Sequence, residues 1–260
     1  MPNPVINQFG RAAGGGDRSP SAVDLQKMYD EPAYAGPRPG IRYMTLDDVV
    51  VRLAAMLGTI VLAGGITWAA LPEHLYTPVL ITAAIAGIGL GLFMSFTARV
   101  NAPLALIYSA AEGVLLGAIS HAFESRWPGI VIQAVTGTVM VAAGMLFVYK
   151  IGAVRVTPKF TRILVGATIG VFGLMVVNMI AYLFVDGGLG LRDGGPLAVV
   201  FSLICIGLAA FNLVYDFDMI ERGIRQGTPQ KFAWFGAFAI TVTLVWLYFE
   251  ILRLLGYARN

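Results

Sequence analysis

Seven stretches of this chain are too long and too apolar to fold in water. They cover residues 49–71, 78–97, 103–124, 129–150, 162–185, 196–217 and 232–255. Each is about as long as the ~20 residues a helix needs to cross ~30 Å of hydrocarbon. Short polar breaks separate them, so neighbouring helices run antiparallel. The runs are continuous and lack the ~10-residue alternation of barrel strands, the other structure that satisfies its own backbone in lipid. The expected fold class is an all-α membrane protein, a seven-transmembrane helix bundle. Composition agrees: only 13% of the 260 residues are charged, against ~25% in a soluble domain.

Residues 1–44 are rich in Gly, Pro and polar residues and show no apolar periodicity. They cannot bury enough apolar surface to offset their ordering entropy, and no secretory signal pattern is present. They read as a flexible cytoplasmic N-terminal tail, with residues 45–260 as the transmembrane domain. Thr45 and Asp48 have the spacing of a capping box that opens the first helix. Thirteen Lys and Arg fall on the side of the tail and the even-numbered connections, and three on the other side. This bias places the N-terminus in the cytoplasm and, with seven spans, the C-terminus outside. The formal charge of +3 is too small to suggest nucleic acid, and the single Cys205 rules out an intrachain disulfide.

The chemistry-bearing residues are acids inside apolar runs. A carboxylate costs roughly 2.5–3.5 kcal/mol at the bilayer centre, so membrane helices seldom carry one idly. Glu112 falls near the middle of the third span, Asp216 near the inner end of the sixth, and Glu250 on the outer half of the seventh. Facing a common interior, they would form a ladder of proton or cation sites. Asn212, one turn from Asp216, is a candidate neutral ligand beside it. Oxygen ligands favour hard ions such as Ca²⁺, which Asp216 would hold as a transported ion. Asp218 lies four residues before Arg222 and reads as a surface pair. Glu250 lies three before Arg253, which leaves an internal ion pair as the rival to an ion site. Arg52 either snorkels to the interface or reaches Asp216.

Small residues at four-residue spacing (Ala83, Gly87, Gly91 and Ser95; Gly113 and Gly117; Gly166 and Gly170) read as close helix packing. No lysine lies well inside a span, and the two histidines, His74 and His121, sit at span edges. There is no protease arrangement and no phosphate-cradling glycine loop, so neither an enzyme nor a cofactor is expected.

These residues resemble the Bax inhibitor-1 family. The sixth run ends in Tyr215-Asp216 followed by Ile220, the last in Leu252 to Gly256, and Ala98 to Asn101 carries Ala-Arg-x-Asn. The likeness covers roughly residues 45–256 and looks like a divergent bacterial member. It implies six helices around a central C-terminal seventh, and a pH-sensitive Ca²⁺ leak in the bacterial inner membrane. In that family an aspartate of the sixth helix pairs with one in the seventh as pH sensor, and an arginine at the end of the second helix latches onto them. Asp216 matches the first aspartate and Arg99 the latch. Thr243 stands where the second aspartate would be, which gives Asp218 or Glu250 a share of its role. The expected function is therefore a proton-modulated calcium leak channel or exchanger. The alternative is a regulator that acts by contact with a membrane protein partner, such as a protease or stress-response protein, without transport.

Overall fold

The computed structural model describes residues 42–185 and 187–259. The expected tail lies outside them, apart from its last three residues. Seven helices follow: α1 (Leu46–Ala70), α2 (Tyr76–Thr97), α3 (Ala102–Arg126), α4 (Ile130–Lys150), α5 (Pro158–Ala181), α6 (Pro196–Arg225) and α7 (Ala233–Ala258). All seven are long and apolar enough to cross a membrane, and no strand occurs among the described residues. Val61, Leu62, Ile85, Phe96, Ile132 and Ile169 are exposed on the outside of the bundle. That surface is at rest only in lipid. The chain is a multi-pass membrane protein.

The helix ends are set by local chemistry. Thr45 accepts from the Asp48 amide while the Asp48 carboxylate accepts from the Thr45 amide, the reciprocal box expected from their spacing. Asn101 and Thr157 cap α3 and α5 one way only, accepting from the Leu104 and Phe160 amides, each ahead of a proline in the first turn, where its missing N–H is harmless. Helix α2 stops at Ala98, whose φ of +49° is left-handed and cannot continue the helix. The edges of α5 and α6 differ most from expectation, and α5 begins at Pro158 rather than 162. Helix α5 ends at Ala181 rather than 185, because the buried Asn178 side chain accepts from the Leu189 amide and folds the connection back over the helix end. Helix α6 runs on to Arg225, well past 217, with its last two turns polar.

Helix α7 is the core. Burial reaches 61% along its most apolar stretch and no more than 44% in any other helix. It packs on α1, α3, α4 and α6, and Phe172 of α5 reaches it by stacking on Trp246 at 5.3 Å. Helix α2 packs chiefly on α3. One end of the bundle is stitched by the segment before α1. The Met44 amide donates to Thr228 O and the Gln230 amide to Arg42 O, while the Gln230 side chain donates to Asp48. We call this the N-terminal end, and the other the far end.

The tightest crossing joins α1 and α3. A Cβ on Gly113 would stand 2.6 Å from the Ile60 carbonyl, and one on Gly117 would run into the backbone of Gly64. Only glycine lets two backbones come this close. Gly113→Leu should therefore cost more than the about 1–3 kcal/mol usual for overpacking, because backbone rather than a flexible side chain opposes it. Gly166→Ala, with open space around it, should be neutral. Thermal unfolding of the purified variants in detergent checks this, and equal midpoints would show that the crossing is loose.

Candidate functional site

Asp216 projects from α6 into the interface with α7 and is only 6% exposed. Its Oδ2 lies 2.7 Å from the Thr243 hydroxyl, which also lies 3.1 Å from the Ala239 carbonyl one turn back. A hydroxyl has one hydrogen to give. With Asp216 ionised, Thr243 donates to it. With Asp216 protonated, the carboxyl O–H donates to Thr243, whose own hydrogen turns to Ala239 O. Both protonation states are satisfied without moving a heavy atom. No arginine or lysine pairs with Asp216 among the described residues.

Glu112 is the second acid without a basic partner. It is 8% exposed on α3, facing α2. Its Oε1 occupies the space left by Gly87, where an added Cβ would stand 2.8 Å away. Gly91, one turn on, leaves room for the ring of Tyr108. Tyr108 in turn meets Phe238 of α7 edge-on, with ring centroids 5.2 Å apart. The α2 stripe, expected as packing alone, is thus also the seat of a buried carboxylate.

Glu250 behaves differently. It is 1% exposed, and both oxygens are occupied by arginines. Arg192, from the connection between α5 and α6, donates Nη1 to Oε2 and Nη2 to Oε1, each at 2.8 Å. Arg253 donates Nη1 to Oε1 at 3.1 Å. Burial opposes the charge on Arg192, but the hydrogen bonds and charge of Glu250 outweigh it and hold its pKa above the ordinary arginine value. Glu250 is a clamp rather than a rung of an ion ladder, because its charge is already neutralised. Nothing local marks Arg192 as its partner. In sequence Arg192 is one far-side basic residue, 58 positions away.

Three further expectations are corrected. Asn212 is no ligand beside Asp216; its amide donates to Thr168 Oγ1 at 3.1 Å and Leu208 O at 2.9 Å, on the α5 side of α6. Arg99 is no latch on Asp216; it is exposed beyond the end of α2, with its amide against the Thr97 hydroxyl. Asp218 pairs with Arg222 and takes no part at Asp216. Arg52, for its part, pairs with Asp48 at 3.1 Å and lies over the Trp234 ring, away from Asp216.

Asp216 and Thr243 together offer three oxygens, fewer than the six to eight Ca²⁺ takes, so water would complete the shell of any ion passing there. Among the described residues no three His, Cys, Asp or Glu come together as a metal cluster. A cavity of about 740 Å³ between α1 and α4 over α7 is apolar and contains none of the three acids.

Compared with models of known families, residues 3–260 match the family described as Bax inhibitor 1 like. No curated protein matches the chain significantly.

The two kinds of buried acid should respond oppositely to neutralisation. Glu250→Gln leaves two arginines facing each other and should cost about 3–5 kcal/mol, the usual penalty for breaking a buried pair. Asp216→Asn and Glu112→Gln strand no cation and should lose little. Thermal unfolding of the three variants in one detergent gives the ranking. A Glu250→Gln midpoint equal to the parent would show that the clamp contributes nothing.

Proposed function

The chain belongs to the Bax inhibitor 1 like family, and on that premise we propose that it is a proton-modulated cation leak that passes Ca²⁺ by way of Asp216 and Glu112. The observation that carries this is the contrast among the three acids. Glu250 is neutralised by two arginines, while Asp216 and Glu112 are equally buried and have no cation. A carboxylate kept in that condition marks an ion or proton path more often than a structural element.

The geometry supplies a gate. Protonated, the Asp216–Thr243–Ala239 chain of hydrogen bonds is complete and dry, and the α6–α7 seam stays closed. Ionised, the carboxylate has one donor for its two oxygens in a low-dielectric interior, and it attracts water and a cation. Acid therefore closes the path and alkali opens it. The chain would sit in a bacterial inner membrane with its N-terminus in the cytoplasm. Conduction here needs no catalysis and no resident cofactor.

In proteoliposomes the parent should pass Ca²⁺ at a rate that falls as the pH is lowered. Asp216→Asn should reduce the flux roughly tenfold or more, since the neutral amide no longer attracts the ion, and should flatten the pH profile. Glu112→Gln should reduce flux and keep the profile. Thr243→Val should blunt the profile while leaving the protein folded. Parent-like flux and pH profile in both Asp216→Asn and Glu112→Gln would remove the mechanism and leave regulation by contact as the reading.

A further inference from the structure

Behind the Glu250 clamp, at the far end of the bundle, lies a cavity of about 280 Å³ with an apolar wall that includes Ile119, Met175 and Phe249. Arg192, Arg253, Trp246 and Glu250 itself form its polar side. The charges there do not balance. Among the described residues, two guanidinium groups share one carboxylate, and both oxygens of Glu250 are already taken. Among the described residues the unused groups around them are N–H donors and the buried Tyr257 hydroxyl, which can donate or accept. Arg253 spends only Nη1, and its Nε and Nη2 have no acceptor. The buried Trp246 Nε1 has no hydrogen-bond partner either.

A half-buried +1 charge with spare N–H groups, beside a hydroxyl that can also donate, is the complement of an anion. The apolar wall adds a second requirement, since a small fully hydrated ion would leave it unpaired. Small-molecule sites commonly have this make-up, an apolar lining with a few placed polar groups. We propose that the cavity binds an amphipathic oxyanion, a carboxylate or phosphate on a short apolar body. The head would lie between Arg253 and Arg192, and the body against Ile119, Met175 and Phe249. Its placement apart from Asp216 and Glu112 makes the proposal independent of conduction.

The test uses the full chain in a maltoside detergent, with tryptophan fluorescence followed while hexanoate is added. Hexanol and hexylammonium serve as neutral and cationic controls. Hexanoate should give a saturable change that disappears in Trp246→Phe. Arg253→Gln should weaken it roughly tenfold or more, the loss expected when a charged donor is removed. Ile119→Phe fills the cavity and leaves every charge in place, so it should have the same effect even if Arg253→Gln fails to fold. Nanodiscs of phosphatidylcholine with and without phosphatidate identify the source of the anion. A Trp246-dependent change on adding phosphatidate, reversed by hexanoate, means that a lipid headgroup occupies the site. Hexanoate binding that is indifferent to phosphatidate means an anion from the water phase. The proposal fails if no anion gives a saturable Trp246-dependent change, if hexanol acts as well as hexanoate, or if binding survives Ile119→Phe.

Discussion

A carboxyl group inside a helix bundle is tolerated only with a cation beside it, a proton on it, or water or an ion drawn to it. The organisation of this protein follows from that constraint. At the far end the first solution is used. Arg192 reaches in from the connection between α5 and α6, Arg253 comes from α7 itself, and the two hold Glu250 from both sides. The clamp also fixes that connection against the central helix. At Asp216 and Glu112 no cation is paired among the described residues, which leaves the second and third solutions. Side chains of one chemical type thus do different work according to the charges around them.

Packing and chemistry are not separate here. The α1–α3 crossing is close because Gly64, Gly113 and Gly117 remove the side chains that would hold the backbones apart. That draws α3 inward, where Tyr108 stacks on Phe238 of α7 and Glu112 turns toward α2. On α2, Gly87 gives the carboxylate its space and Gly91 gives the ring its space. A larger residue at position 87 would displace the acid, and would alter its surroundings as much as a substitution of Glu112 itself. The spacing of small residues along α2 therefore serves both the helix contact and the buried charge.

The seven helices were legible because the length of an apolar run is a one-dimensional property. Partners were less legible, for a physical reason. Periodicity tells which residues share a face of one helix but not which neighbour that face meets. Asn212 and Asp216 are only about 40° apart on α6. Yet α6 is wedged between α5 and α7, and a small rotation sends Asn212 to Thr168 and Asp216 to Thr243. Arg99 sits at the right place in the sequence for a latch, but the left-handed turn at Ala98 ends α2 and leaves Arg99 exposed. The Arg192 contact joins an irregular connection to a helix, and no repeat announces such a pairing. Thr243 could be found by its distance from Leu252 to Gly256, because within one helix sequence separation fixes position.

The presence of threonine rather than a second acid opposite Asp216 changes the kind of response the site can give. Two facing carboxylates share a proton and titrate in two coupled steps, and each intermediate form depends on the other's charge. A threonine has no charge to couple, so the site titrates once. Its hydroxyl can donate in one state and accept in the other, and Ala239 O takes its hydrogen when Asp216 does not need it. The energetic difference between the two states then rests on the charge of one carboxylate in its low-dielectric surroundings and on the one hydrogen bond that the ionised form gives up. A single acid arranged in this way responds over a broad range of about two pH units, without the cooperativity of a pair.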